Sequence, residues 1–320
     1  MDCIQELVNL INQEQIDDIP HYLLLRDIFE EEVTSEKLKS LKESILESEW
    51  VGKVVAEQWD DGSWGQFHSL STSGNLEFTT ERAIRRMLNL GLDNHDAPVK
   101  KVLSYMESYL RGEIELRDRV EKKHDWGLLT RLFVATWILR IDSNSRLAIK
   151  EAEKWAKVVS AGFIEENFDE LKYKEAYYEV LKPEKGKSMW GIQNFYIVAL
   201  MPEILSQTVE ERFIDYIMND GKGIYYTYDG KLSSCPNVCN SKEITRFISA
   251  HKLLSRYDCY SDKAKYIKKW LLDIRMNDGL WDFGTISKDG VLFPLSKSWR
   301  KKSARMIDCS ILALKLLKKF

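Results

Sequence analysis

Apolar residues recur at helical spacing along nearly the whole chain, in two patterns that alternate. In one pattern they fill a single stripe, which is typical of a helix with one face on a core and the other in water. In the other they surround the helix, which indicates burial on all sides. The one-stripe pattern covers 97–110, 148–161, 208–218 and 262–274, and the all-round pattern covers 127–140, 191–201 and 303–317.

This alternation predicts two concentric layers of helices, with the one-stripe helices outside and the apolar helices inside. Segments 79–90 and 241–254 take inner positions in the same order, so about six inner helices would close around a central cavity. The sequence therefore predicts an all-α fold, an α/α toroid. Residues 1–47 carry further helical patterns, which we expect to pack on a toroid of residues 48–320. Strand-like alternation is confined to 223–228 and 290–295, where we expect at most short hairpins.

A short turn motif lies between the helical patterns and recurs. Its best copies are 58–64 and 277–281, a third at 219–225 has Tyr for Trp, and worn copies lie at 124–126 and 189–191. An Asp-Gly pair after a helix supplies the left-handed residue that ends it, and the aromatic residue that follows can pack back on the helix. The motif therefore predicts repeated helix-pair units.

Composition limits the class of protein. The chain has 320 residues, 44% hydrophobic and 30% charged, with 47 basic and 50 acidic side chains. Such a balance offers no single-sign field for nucleic acid or an anionic membrane, so we expect neither partner. No apolar run approaches the ~18 residues that suggest a membrane span. The N-terminus lacks a signal-like apolar core and the five cysteines are an odd number, so the sequence predicts free thiols and a cytoplasmic location.

The turn motif and the helix order resemble those of the terpenoid cyclase and protein prenyltransferase superfamily. The first copy, in particular, is similar to the QW motif of squalene–hopene cyclases, and the second resembles a variant with Asn in place of Gln. The resemblance implies a structural role for Gln58, Asp61, Gly62 and Trp64 in the first copy and for Asn277, Asp278, Gly279 and Trp281 in the second. It covers residues 48–320 as a repeat pattern, and it implies the same toroid and an isoprenoid-like ligand.

The catalytic motifs of that superfamily are missing. The chain has neither the Asp-x-Asp-Asp acid of one class of cyclases nor the Asp-Asp-x-x-Asp metal motif of the other. Where prenyltransferases have zinc ligands before and after the inner helix, Asn237 and Arg305 take the places of Asp and His, with Cys239 and Cys309 nearby. We therefore expect no metal and no cofactor. His251 lies on a buried stripe, where a hydrogen-bonded core histidine is the favoured interpretation.

Charged residues on otherwise apolar inner helices define the predicted site, because a buried charge must find a partner or face a wet cavity. Internal ion pairs are one interpretation. The other is a polar mouth where the inner helices begin, since helix N-termini favour anions. The predicted ligand-binding residues are Arg82, Arg246, Arg305 and Asp308 at the mouth, with Trp126, Trp190, Phe195, Tyr196 and Phe247 as an apolar wall.

Three functions stay open at this stage. The favoured hypothesis is a toroid that binds an apolar or amphipathic, isoprenoid-like molecule without the usual chemistry of the family. A carbohydrate-active toroid is the second, with Asp125, Asp278 and Asp282 as its carboxylates. A non-catalytic scaffold for protein partners is the third. The sequence does not decide whether a reaction is catalysed, which ligand binds, or how many copies assemble.

Overall fold

A computed structural model describes residues 16–29, 35–68, 76–237 and 240–320. Within these ranges the protein has fourteen α-helices, one short 3-10 turn and no β-strand. The predicted all-α class is therefore confirmed. The predicted helix 2–12 and Cys239 lie outside the described residues. The predicted hairpins reduce to isolated bridges, Ile224 with Tyr228 and Asn194 with Tyr225, and to a tight turn at Gly290.

The first seven helices are α1 (Asp18–Asp27), α2 (Glu36–Leu46), α3 (Glu49–Ala56), α4 (Thr80–Asn89), α5 (Ala97–Arg111), α6 (Trp126–Ile141) and α7 (Arg146–Ala161). They are followed by α8 (Glu170–Leu181), α9 (Phe195–Leu200), α10 (Gln207–Asn219), α11 (Lys242–Leu254), α12 (Tyr260–Lys263), α13 (Lys265–Asp273) and α14 (Lys302–Leu317). The 3-10 turn spans Thr285–Ser287.

The predicted contrast between helix types reappears as a contrast in burial. Helices α6, α9 and α14 are buried around most of their circumference, whereas α5, α7, α10 and α13 bury one face. The buried helices also contact one another in chain order, α6 with α9, α9 with α11, and α11 with α14. Helix α1 packs on α14 and on α2, so the N-terminal helices join the same core.

Two segments differ from the apolar pattern. Helix α8 is not predicted, because its only buried side chains are Tyr173 and Tyr177 in an otherwise charged run. Helix α9 is shorter than the predicted segment 191–201. The Asn194 side chain caps it by accepting a hydrogen bond from the Ile197 amide, so the residues before it remain in a loop.

The turns at 58–64 and 277–281 are the same structure. The indole Nε1 of Trp64 donates to the Val54 carbonyl at 2.7 Å, and that of Trp281 donates to the Leu271 carbonyl at 2.8 Å, ten residues back in each case. Their backbone amides donate to the hydroxyls of Thr80 (2.9 Å) and Ser310 (3.1 Å). Both indoles have no exposed surface. Each tryptophan thus joins the helix before its turn to the helix after it.

The glycines of these turns have left-handed backbones, with φ of 94° at Gly62 and 83° at Gly279. Asp61 and Asp278 fix the turns, because each Oδ1 accepts the amide two residues on. A Cβ atom on Gly62 would lie 2.4 Å from the Lys101 carbonyl oxygen, so this position requires glycine for space as well as for φ.

One detail of the motif alignment is wrong. The amides of Trp59 and Met276 donate to the residue just before each tryptophan, which sets the register of the two turns. In that register Asn277 corresponds to Asp60, and Arg275 takes the place of Gln58. The Gln58 amide does not cap its own helix; it donates to the carbonyls of Gly62 (3.0 Å) and Pro98 (2.9 Å), and so holds the turn against α5.

Candidate functional site: an aromatic cavity and a basic cavity

Two open pockets of the protein bear on function, and the larger of them has a volume of about 910 Å³. We call it the aromatic cavity, because its walls carry His68, His124, Trp126, Trp190, Tyr225 and Tyr226. Charged side chains from the loop 119–123 also line it, together with Lys222 and Asp229, and its remaining lining residues are Val120, Met189, Gly191, Gln193 and Asn194. The cavity lies where α6 and α9 begin, since Trp126 is the first residue of α6 and Asn194 caps α9.

Local hydrogen bonds hold these aromatic walls in place. Asp125 caps α6 through the Leu128 amide (3.0 Å), and its other oxygen accepts the Glu184 amide (2.9 Å). The carbonyl of Trp190 accepts the Tyr173 hydroxyl at 3.0 Å. The indole nitrogens of Trp126 and Trp190 are nevertheless buried with no hydrogen-bond partner among the described residues. These two indoles thus lack the clamp that holds Trp64 and Trp281.

The second cavity has a volume of about 480 Å³ and lies among α1, α4, α6, α9, α11 and α14. We call it the basic cavity, because seven cationic side chains line it against two carboxylates. The cations are Arg85, Arg140, Arg246, Lys252, Arg256, Lys315 and Lys319, and the carboxylates are Asp27 and Asp289. Such an excess of one charge inside a protein favours a bound anion.

Arg140 is the least compensated of these cations. Its guanidinium lies over the rings of Trp137 (5.3 Å) and Phe195 (5.8 Å), and its Nε is buried with no hydrogen-bond partner among the described residues. Burial, together with the charges of Arg256 and Arg85, lowers the pKa of Arg140 to about 9. Arg85 lies over the same Phe195 ring at 5.4 Å, so two cations share one aromatic face.

Asp27, the carboxylate that α1 contributes to this cavity, is already paired. Asp27 pairs with Lys315 and accepts two hydrogen bonds from Arg26, at 2.5 and 3.0 Å. Burial would raise the pKa of Asp27, but these two cations lower it to about 2. The side-chain amine of Lys252 makes no hydrogen bond or ion pair with any described residue. Burial and the charges of Lys315 and Arg140 lower the pKa of Lys252 to about 7.

A buried polar cluster separates the two cavities. Glu81 has 1% of its surface exposed and accepts hydrogen bonds from Trp137 Nε1 (3.1 Å) and the Tyr196 hydroxyl (2.9 Å). Burial and the Glu81 charge raise the pKa of Tyr196 well above its usual range, which keeps this hydroxyl a donor. Tyr226 lines both cavities and has a left-handed backbone (φ 73°). Tyr226 therefore lies between the two cavities and contributes to the wall of each.

The predicted site residues divide between these regions. Trp126 and Trp190 line the aromatic cavity, Phe195 and Arg246 line the basic cavity, and Tyr196 lies in the cluster between them. The other four line neither cavity. These are Arg82 in the first turn of α4, Phe247 packed on His251 and Trp270, Arg305, and Asp308.

Arg305 and Asp308 have structural partners instead. Arg305 forms a two-pronged ion pair with Asp282, with both N–O distances 2.7 Å. Asp308 is fully buried and accepts hydrogen bonds from the Leu295 and Ser296 amides and from Trp299 Nε1. For these two residues the interpretation as internal pairing describes the contacts better than a polar mouth.

Sequence reasoning missed most of the basic cavity. Arg140, Lys252 and Lys315 lie in the last turns of α6, α11 and α14, at the opposite helix ends from the predicted mouth. Helix C-termini stabilise cations, so positive charge in the last turn of successive buried helices is the signal that points to this cluster. Arg256 and Tyr226 follow from no pattern in the sequence.

The described residues do not form the carboxylate pair of a sugar-processing enzyme or a metal-binding cluster. Asp125 and Asp278 hold turns, and Asp282 is paired with Arg305. In the described part of the chain, no three His, Cys, Asp or Glu residues are placed to hold a metal ion. His251 is fully buried between the Tyr260 hydroxyl (3.0 Å) and the Leu232 carbonyl (3.1 Å), which confirms the predicted core histidine.

Among the described residues no helix has both the length and the apolar character to cross a bilayer. Comparisons of the chain with models of protein families, with curated proteins and with solved structures give no match. The functional argument therefore depends on the two cavities.

Proposed function

We propose that the chain is an α/α toroid that binds an amphipathic organic anion in its interior, as the resemblance to terpenoid cyclases and prenyltransferases implies. The anionic group lies in the basic cavity. The apolar body lies along the aromatic rings that border it, and an isoprenoid diphosphate has this polarity. The observation that carries the proposal is the basic cavity, with its seven cations against two carboxylates.

The contacts that join α4 and α14, the first and last helices of the predicted inner ring, support a closed ring. Arg86 on α4 donates to the carbonyls of Val291 (3.2 Å) and Pro294 (2.7 Å), and Asp308 on α14 accepts the next two amides of that segment. The segment 291–296 thus bridges the last buried helix to the first. Further contacts that support a ring join α6 with α9, α9 with α11 and α11 with α14, and Trp137 Nε1 of α6 donates to Glu81 of α4.

The walls of the basic cavity support an amphipathic ligand over a purely ionic one. Trp137, Phe195 and Tyr226 present apolar rings beside the cations. A small inorganic anion would leave these rings in water, whereas an apolar chain would cover them. Because the acid and metal motifs of the superfamily are absent from the sequence, we propose binding without ionisation of the ligand.

The cavities also bear on the two alternatives. A scaffold for protein partners does not need a ligand-sized pocket, yet the protein has cavities of about 910 and 480 Å³. A sugar-processing enzyme needs a facing pair of carboxylates. Asp125, Asp278 and Asp282 are each held in local hydrogen bonds or an ion pair. Ligand binding in the basic cavity is therefore the function that the geometry supports best.

Calorimetric titration with farnesyl diphosphate, inorganic diphosphate and farnesol tests the proposal. We expect the amphipathic molecule to bind more tightly than either half alone. Arg140→Gln should weaken its binding by about tenfold or more, since each tenfold corresponds to about 1.4 kcal/mol. Arg146→Gln is the matched control, because Arg146 is exposed on α7 and lines neither cavity. Absence of binding, or equal binding by the Arg140 variant, would refute the proposal.

A further inference from the structure

We propose that Lys252 is a nucleophilic amine, able to capture an anionic aldehyde or ketone in the basic cavity as a Schiff base. The inference deepens the proposed function, because it depends on the same cavity admitting anions. It adds a covalent step, a reacting residue and a class of ligand, carbonyl compounds with a carboxylate or phosphate group.

Lys252 differs from the other lysines of the cavity in its contacts. It lies in the last turn of α11 and lines the cavity, with its side chain partly exposed to it. Lys315 is held by Asp27, and Lys319 is exposed at the end of the chain. The side-chain amine of Lys252 has no hydrogen bond or ion pair among the described residues, so it is available to a ligand.

The charges around Lys252 come from α1, α4, α6, α11 and α14 and from the segments between and after them, whereas α9 contributes none. The cationic groups are Arg26, Arg85, Arg140, Arg246, Arg256, Lys315 and Lys319, and the anionic groups are Asp27 and Asp289. Asp27 already pairs with Arg26 and Lys315. Asp289 Oδ1 accepts the amides of residues 291–293. The charge of Asp27 favours the protonated form of Lys252, but neither carboxylate forms an ion pair with Lys252 among the described residues.

This environment sets the protonation state of the amine. The pKa of Lys252 falls to about 7, chiefly through burial and then through Lys315 and Arg140. About half of the amine is therefore neutral at pH 7, against fewer than about one in a thousand for an ordinary lysine. Desolvation next to other cations is a known means of activating a lysine as a nucleophile.

The same cations select the reactant. An anionic group would pair with the guanidinium of Arg140, whose Nε has no partner, or with that of Arg85 or Arg256. The amine lone pair then attacks the carbonyl carbon, and a C–N bond forms as the C=O π bond opens. The carbonyl oxygen leaves as water with the two amine protons, which yields a C=N bond. No oxidant or reductant is needed for this step.

Pyridoxal 5′-phosphate with borohydride is a direct test, since the probe is an anionic aldehyde and hydride transfer to its imine leaves a stable secondary amine. Peptide mass spectrometry then locates the adduct. We expect Lys252 to be the lysine modified first at pH 7, with a rate that rises to a plateau with a midpoint near pH 7. Lys252→Met should lose this adduct, and Lys150→Met, a control at an exposed lysine of α7 that lines neither cavity, should retain it.

The possible results separate the two proposals. Equal labelling of many surface lysines, or an unchanged first adduct in the Lys252 variant, would overturn the reactive amine. Circular dichroism of the variants excludes misfolding as the cause of a lost adduct. Protection of Lys252 by farnesyl diphosphate supports both proposals. If Lys252 is labelled but farnesyl diphosphate neither binds nor protects it, the proposal of a reactive amine stands and that of an isoprenoid-like ligand is refuted.

Discussion

The motif turns and the cavity walls differ in whether their buried N–H groups have hydrogen-bond acceptors. At the turns, Trp64 and Trp281 are fully buried and both their indole and backbone N–H groups donate hydrogen bonds. In the cavities, the indole nitrogens of Trp126 and Trp190 and the Nε of Arg140 are buried without a partner among the described residues. An unsatisfied buried donor costs about 1–3 kcal/mol. The turns therefore satisfy their buried donors, whereas the cavity walls leave these donors unpaired among the described residues.

This contrast also separates copies of one sequence motif. The two turns with Asp-Gly before the tryptophan clamp two helices, whereas the worn copies at 124–126 and 189–191 present their tryptophans to the aromatic cavity. Without the left-handed glycine, Asp125 caps α6 directly and leaves Trp126 at the helix start. Where the Asp-Gly turn is absent, the tryptophan lines a cavity and does not clamp two helices.

The largest expected effect comes from removing the clamping tryptophans. Trp64→Ala and Trp281→Ala should each lower the free energy of unfolding by roughly 3–5 kcal/mol, the cost of deleting a large buried aromatic. Trp126→Ala should cost only about 1–2 kcal/mol, because its indole is partly exposed and has no hydrogen bond to lose. Urea unfolding measures all three. Equal losses at Trp64 and Trp126 would remove the distinction between clamp and wall.

Gly62→Ala should have the next largest effect, about 3 kcal/mol. The new Cβ would meet the Lys101 carbonyl at 2.4 Å, and the φ of 94° is unfavourable for any side chain. Gly112→Ala is the matched control, since Gly112 also has a positive φ (77°) but no atom within 4 Å of an added Cβ. We expect about 1 kcal/mol for the control, measured by the same unfolding assay. Similar costs at both glycines would show that the close approach to α5 does not matter.

Lys252→Met should raise the free energy of unfolding, unlike the preceding substitutions, because it removes an uncompensated cation from the cavity wall. We expect the variant to be more stable than the parent by roughly 2 kcal/mol at pH 6. The pKa of Lys252 falls on folding from 10.5 to about 7, so the charged amine opposes folding fully below pH 7. Between pH 7 and 10.5 the unfolded chain binds more protons, and the cost fades as pH rises.

The measurement is the difference in the free energy of unfolding between parent and variant at pH 6, 8 and 10. Taking the difference cancels the contributions of the tyrosines and cysteines, which titrate in both proteins. Lys319→Met should show no such pH-dependent difference, since this lysine is exposed. A variant that is less stable than the parent at pH 6 would contradict the unpaired state of Lys252.

The sequence predicts the turns far better than the cavities, for a physical reason. A turn is specified by residues adjacent in the chain, so Asp61, Gly62 and Trp64 reveal its geometry together. The basic cavity is assembled from single side chains of α4, α6, α11 and α14, which are far apart in sequence. In the sequence each of these cations looks like an ordinary charged residue of a helix. The all-α class followed from the local apolar pattern, whereas α8, with two buried tyrosines, left too weak a stripe to detect.

The smallest expected effect concerns the hydroxyls that accept the tryptophan amides. Thr80→Val and Ser310→Ala each remove one acceptor and leave the buried N–H of Trp64 or Trp281 without it. Both hydroxyl residues have no exposed surface, so water does not replace them. We expect each change to cost about 1 kcal/mol, and Thr80→Ser, which keeps the acceptor, to cost less.

Thr130→Val is a useful comparison on α6, because the Thr130 hydroxyl contacts Tyr109 and accepts no tryptophan amide. Urea unfolding should give similar losses for Thr80→Val and Ser310→Ala, since the two turns share one hydrogen-bond pattern. A clear loss at one site with none at the other would mean that the turns share a geometry without sharing its energetics.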